Sequence, residues 1–251
     1  MNSQLSHLRT TTPSRVLLFV LVTMVTLAAC KDEDTMMPTT ADPLLSSLEA
    51  YYKFNGTADD ETSNNHDGML LGGASVASGT LVTGYNDVDR LELPEAVMNG
   101  VGNFSIAGWV KINTFHPNPN QWVSCAIAAE DNNLGIWYDP ANDRWSIDIL
   151  SNRLNFPTNA AMEDNQFHHI ALTRSGTTMS LYVDGVFVGS LTVPDAPITI
   201  DPGGFIIGQD QDSVGGGFST NNSLAGEVDE LRVYHRALTA SEVASIEQLG
   251  R

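Results

Sequence analysis

The residues in this sequence best suited to chemistry lie together near its C-terminal end: Gly208-Gln209-Asp210-Gln211-Asp212-Ser213-Val214-Gly215-Gly216-Gly217-Phe218. An apolar run, Phe205-Ile206-Ile207, leads straight into them. In an extended chain, Asp210 and Asp212 point to one side and the Gln211 side chain to the other. The Gln211 backbone carbonyl can still turn toward the carboxylates, and the glycines let the chain fold back tightly. Two carboxylates, a carbonyl and a flexible return loop are the parts of a calcium site, since Ca²⁺ takes oxygen ligands and tolerates irregular geometry. The plainer reading is an acidic surface turn, in a chain with 30 Asp and Glu against 12 Lys and Arg.

Such a loop needs a rigid frame, and the rest of the chain reads as strands. Residues 51–54 begin the series and residues 68–71 resume it. Between them lies a polar run holding Asp59, Asp60, Glu61, Asn64, Asn65 and Asp67, read as a solvated loop. Residues 104–112 alternate apolar with small or polar residues, and residues 121–129, 134–138, 145–150 and 167–174 follow. Residues 178–183 and 186–191 flank Asp184-Gly185, a two-residue hairpin signal. Residues 224–234 make a last long strand. Strand after strand joined by Gly, Asn, Asp and Pro turns predicts an all-β sandwich. One short helix closes the chain: Thr239-Ala240-Ser241-Glu242 is a capping box, and Val243, Ile246 and Leu249 give it an apolar stripe. No repeat and no second domain is visible.

The N-terminal region reads as an export signal. Arg9 and Arg15 precede an apolar run over residues 16–27, which ends in Leu27-Ala28-Ala29-Cys30. About a dozen apolar residues fit the core of a signal peptide and are short for a bilayer span. Small residues followed by Cys match the bacterial lipobox, in which the cysteine is lipidated and becomes the new N-terminus. The expected organisation is a signal peptide over residues 1–29, lipidated Cys30 and a flexible tether over residues 30–47, and one domain over residues 48–251. Lys31-Asp32-Glu33-Asp34 resembles the run that directs some lipoproteins to the outer face of the outer membrane; a plain charged tether is the alternative. The expected location is the bacterial outer membrane, exposed at the cell surface, with the lipid as the sole membrane contact. With Cys30 lipidated, Cys125 has no partner for an internal disulfide, so the domain must rely on its core. The formal net charge of −18 repels nucleic acid and anionic lipid, so neither is expected as a partner.

Ile206 to Ser213, then Gly215-Gly216 and Phe218, then Leu224-Ala225-Gly226-Glu227, resemble the calcium loop and following strand of the pentraxins. Glu130-Asp131-Asn132-Asn133-Leu134 resembles that family's other calcium segment. Tyr52-Lys53-Phe54-Asn55, Asp67-Gly68 and residues 226–234 resemble the wider group of laminin-G-like, concanavalin A-like jelly rolls. The resemblance implies a jelly-roll β-sandwich over the folded part and one Ca²⁺ on Asp131, Asn132, Asp210, Asp212 and the Gln211 carbonyl. A second ion of that family would fall on Ser219 and Asn222; Ser219 brings no carboxylate, so binding there is expected to be weak or absent. The family's cysteine pair falls on Ala107 and Ala171.

The function implied is calcium-dependent binding of a carbohydrate or another polar or anionic extracellular ligand. Trp122 or Trp137 is a candidate aromatic platform, core packing being the alternative. A second possibility is a structural or adhesion domain in which calcium only stiffens a loop. Oligomerisation is neither demanded nor forbidden. An enzyme is not expected. Retaining glycosidases need two carboxylates across the scissile bond, and in residues 227–232 Glu227 and Asp229 share a face while Leu231 and Arg232 occupy the third acid's places. Glu230 would point the opposite way in a regular strand.

Overall fold

In the computed structural model of this chain, the described residues are Leu44, Ser47 and residues 48–86, 88–113, 118–128, 130–158 and 162–251, without the side chains of Glu130, Asp131 and Asn132. They belong to a compact unit spanning Thr40–Arg251. The expected signal peptide, Cys30 and nearly all of the tether lie outside them.

The strands in chain order are β1 (Leu48–Tyr52), β2 (Met69–Leu71), β3 (Ser75–Ala77), β4 (Thr80–Thr83), β5 (Arg90–Leu93), β6 (Phe104–Ile112), β7 (Asn120–Ile127) and β8 (Glu130–Asp139). They continue as β9 (Arg144–Ile149), β10 (Asn152–Pro157), β11 (Phe167–Ser175), β12 (Thr178–Val183), β13 (Val186–Thr192), β14 (Phe205–Ile207) and β15 (Gly226–Tyr234), and helix α1 (Ala240–Leu249) ends the chain. One sheet has the order β13-β12-β11-β6-β15-β4-β3, with β1 also on β15; the other has the order β10-β9-β8-β7-β14-β5-β2. The chain changes sheet repeatedly, from β5 to β6 to β7, from β10 to β11, and from β13 to β14 to β15.

Alternation explains the layers. Ile106, Leu172, Val228 and Leu231 of the first sheet and Val123, Leu134, Ile147 and Phe205 of the second face one another and are fully buried. Each such side chain contributes about 1.5–3 kcal/mol relative to exposure. Cys125 lies in this core, where burial pushes its thiol pKa up and keeps it inert.

The Asp184-Gly185 turn forms as expected, with φ of 49° and 72° joining β12 to β13. The capping box at Thr239 and Glu242 also forms, and α1 lies on the outer face of the first sheet. There Val243, Ile246 and Leu238 pack with Tyr182, Tyr234, Ala107 and Ala171. Ala107 and Ala171 are direct partners across β6 and β11. Leu249 does not join the stripe and is 65% exposed: two steps of three residues turn it about 120° from Val243.

Other expectations shift. The first strand starts at Leu48 and ends before Phe54, whose φ is 53°. β10 and the short strands β3 to β5 were not apparent in the pattern. Asp60, expected in a solvated loop, is buried. Burial alone would push its carboxyl up, but bonds from Thr62, Tyr51 and His66 outweigh that and hold its pKa down. It ties the loop together as a structural knot.

Candidate functional site

The acidic loop leaves β14 at Gly208, whose φ is 89° and whose N–H donates to the Trp122 carbonyl at 3.0 Å. Gln209 is buried and fixes the next turn: its Nε2 donates to the Asn86 carbonyl at 2.9 Å, and its Oε1 accepts from the Asp210 N–H at 2.9 Å. Gln211 points inward, as the alternation predicts, and is fully buried. Its amide donates to the Gly204 carbonyl at 2.9 Å and to Ser124 Oγ at 3.2 Å, and accepts from the Gly215 N–H at 2.9 Å. One side chain thus anchors both halves of the loop to the second sheet.

The chain then doubles back. Ser213 and Gly216 pair across a tight turn, and Gly217, at φ 69°, lies against Asp212. Phe218 packs under the Arg90 guanidinium, 4.2 Å from the ring centre. Ser219 caps a short turn at Thr220–Asn222 by accepting from the Asn221 N–H. Through that turn Asn222 reaches Asp210, its Nδ2 3.0 Å from Asp210 Oδ2. Asp212 is exposed.

The structure therefore brings Asp210 and Asn222 together, uses Gln211's side chain as an anchor and Ser219 as a cap. The other segment, Asp131 and Asn132, opens β8, which is separated from β14 only by β7; their side chains lie outside the described residues. Among the described residues no group of three or more His, Cys, Asp or Glu forms a metal cluster. The donor chemistry nevertheless fits an oxygen-seeking cation. A half-turn of the Asn222 amide exchanges its nitrogen for its oxygen. That would set an amide oxygen beside the Asp210 carboxylate, two hard donors on one spot.

Asp210 and Asn222 also form one rim of a cleft of about 240 Å³ on the outward face of the second sheet. Its floor is built by alternation. Trp137 and Asp139 point outward from β8, Arg144, Ser146 and Asp148 from β9, and Arg153 from β10, while Gln121 closes the β7 side. Two ion pairs cross the strands. Arg144 Nε and Nη2 both meet Asp139 Oδ2, at 3.1 and 3.0 Å. Arg153 meets Asp148 with two parallel bonds, Nε to Oδ1 at 2.8 Å and Nη2 to Oδ2 at 2.6 Å. Asp148, through that bond, raises the Arg153 pKa, and Asp210 adds to it from the loop. The Arg153 guanidinium lies 4.9 Å from the centre of the Trp137 ring. Trp122 is buried in the core against Trp145; Trp137 lines the cleft but is itself buried, 9% exposed beneath Arg153.

The acids of β15 are elsewhere. Glu227 meets Lys111 at 2.6 Å and Thr80 at 3.0 Å, and Asp229 meets Arg251 at 2.9 Å. Glu230 does not point to the opposite face. A bulge with φ 51° at this residue breaks the alternation, and its carboxylate meets Tyr51 and Arg232. These acids lie on the outer side of the first sheet, away from the cleft. Sequence reading had not singled out Asp139, Arg144, Asp148 or Arg153. The alternation Arg144-Trp145-Ser146-Ile147-Asp148-Ile149 was the available signal for an outward polar face.

Two antiparallel sheets with this strand order, a C-terminal helix on one outer face and a loop-rimmed cleft on the other define a pentraxin-like, laminin-G-like jelly roll. The chain belongs to the concanavalin A-like lectin/glucanases superfamily, whose family model matches residues 83–244, a family of carbohydrate- and other ligand-binding domains. It is 37% identical to Pentraxin-4 of Homo sapiens over 86 residues, which is 33% of this chain and 18% of that protein. It is 28% identical to C-reactive protein 1.1 of Limulus polyphemus over 158 residues, 60% of this chain and 65% of that one. The chain thus spans less than two thirds of either relative. Among solved structures, the native heptameric SAP-like pentraxin from Limulus polyphemus has a TM-score of 0.52 at 24% identity, covering 60% of this chain and 71% of that chain. Domain 4 of AbnA, an extracellular arabinanase from Geobacillus stearothermophilus, has a TM-score of 0.63 at 23% identity, covering 80% and 98%. At these identities the structures speak for the fold.

Proposed function

We propose that this chain is a binding module that takes a carbohydrate, or another polar extracellular ligand, in the cleft on the second sheet, and that one Ca²⁺ on the adjoining loop makes the binding metal-dependent. The observation that carries this reading is that Asp210 and Asn222, in contact with each other, line the same cleft as Trp137. Asp131, Asn132, Asp210, Asp212 and the Gln211 carbonyl would hold the ion, with Asn222 beside Asp210. When bound, Ca²⁺ supplies open coordination positions for hydroxyl or anionic oxygens. The chain's own part is to fix the loop through Gln209 and Gln211 and to offer the cleft's polar floor to the ligand. The AbnA domain was solved in complex with arabinotriose, which agrees with a sugar ligand on this fold. A catalytic role has no support in the β15 acids, each engaged with a basic residue on the far side of the sandwich. In this reading a lipid on Cys30 tethers the module to the bacterial outer membrane and displays it outward.

The test is glycan binding by the full chain with calcium and with chelator, beside its melting temperature. Binding that requires calcium and is lost in Asp210→Ala supports the proposal. A calcium effect on melting temperature alone would instead identify a stiffened structural domain, and no effect on either would overturn the metal role.

A further inference from the structure

We propose that the ligand is an uncharged oligosaccharide, laid along β9 and held by two carboxylate–guanidinium pairs that act as diol-binding subsites. This deepens the binding function above by naming the ligand class, and it rests on that reading.

The first observation is spacing. Arg144 and Asp148 both point outward from β9, four residues apart, so the backbone positions that carry the two pairs lie about 13 Å apart along the strand. Asp139–Arg144 occupies one end and Asp148–Arg153 the other. Ser146 lies between them, with Trp137 as its partner on β8. A short chain of rings matches that spacing along the strand better than a single ring.

The second observation is chemistry. A carboxylate bonded side-on to a guanidinium presents acceptors and donors in one row. A hydroxyl both donates and accepts. Two neighbouring sugar hydroxyls can therefore donate to the aspartate while accepting from the arginine, without breaking the pair. Bonds to charged groups are the stronger kind.

The third observation is charge. Both guanidiniums are already neutralised by their own carboxylates, at 2.6–3.1 Å. Asp210 on the rim is a third acid against two arginines. With Ca²⁺ on the loop, the three carboxylates proposed to hold it, Asp131, Asp210 and Asp212, exceed its two positive charges, so an anionic sugar would still have to pull an arginine from its aspartate or face an excess of negative charge, in a chain of net charge −18. An uncharged sugar meets neither cost.

The experiment is calorimetry on the full chain in calcium. The probes are neutral pentose and hexose oligosaccharides of increasing length, their monosaccharides, a polyuronate and a sulfated glycan. The expected result is binding of a neutral oligosaccharide, with roughly tenfold or greater loss for its monosaccharide and for each of Arg144→Ala and Arg153→Ala. Arg153→Lys keeps the charge but not the two-point geometry, and should weaken binding as well. Arg153 is exposed, but Asp148, Asp139 and Arg144 are part-buried, so melting is measured for each variant, and a binding loss counts for the proposal where the variant remains folded at the assay temperature. The proposal is overturned if an anionic glycan binds best, if the monosaccharide equals the oligomer, if both arginine variants bind like the native chain, or if no neutral sugar binds. Calcium titrated alone separates the two readings. Arginine-dependent sugar binding without any calcium uptake would sink the metal role and leave this inference standing; calcium uptake without neutral-sugar binding would do the reverse.

Discussion

Gly217 holds the loop in its shape by having no side chain. A Cβ there would stand 2.6 Å from Asp212 Cβ, on a backbone at φ 69°. Gly217→Ala should therefore distort the loop and cost about 1–3 kcal/mol, read as a lower melting temperature together with weaker calcium uptake. His169 is a second informative residue. It is fully buried against Trp109, and neither ring nitrogen has a hydrogen-bond partner among the described residues. Burial first, and then the charge of Arg232, lower its pKa from 6.5 to about 4, against a smaller opposing pull from Asp184. The unfolded chain therefore takes up this proton before the folded one. The stabilising contribution is complete above pH 6.5 and is lost as the pH falls toward 4, by about 3 kcal/mol at most. Denaturant melts across that window should show the slope, and His169→Phe should flatten it; an unchanged slope would mean that other groups carry the acid sensitivity. At this scale the turn after β14 was legible, because glycines follow an apolar strand there; the metal role of Asp210 is a proposal. The anchoring by Gln211 was legible only as a direction, since its partners Ser124 and Gly204 come from other elements.

Elements were legible where they carry their own chemistry. The Asp184-Gly185 hairpin and the Thr239–Glu242 box each declare themselves within four residues, and both form. Removing the cap with Thr239→Ala should cost about 1 kcal/mol, measurable by denaturant unfolding. β10 was hidden because Asn152-Arg153-Leu154-Asn155-Phe156-Pro157 is an edge strand with a polar outward row and a terminal proline. The bulge at Glu230 was hidden because nothing in the residue types demands it. Ala107 and Ala171 face each other across β6 and β11, at the positions where the pentraxin resemblance puts a cysteine pair. Ala107→Cys with Ala171→Cys should close a disulfide under oxidising conditions and stabilise the domain by about 2–4 kcal/mol. Intact mass and melting with and without reductant would check it; a mixture of free thiols would contradict the register.

At the scale of the whole molecule the two outer faces of the sandwich differ. One outer face is covered by α1 and by paired acids, and the other is left open as a cleft with charged, hydrogen-bonding walls. The cleft itself was not legible in the sequence, because it depends on three adjacent strands presenting alternate residues in register. At this scale the proposed anchor is tested by the mass of the mature N-terminus: a lipid mass on Cys30 is expected, and none in Cys30→Ser. In the proposed reading the Asp210 loop is a calcium site. Calorimetric titration of calcium into the full chain, beside Asp210→Ala with Asp212→Ala, tests it most directly. One site of about micromolar affinity or better, absent in the double variant, is the predicted result, in the range of protein calcium sites. No heat of binding at millimolar calcium would contradict the account.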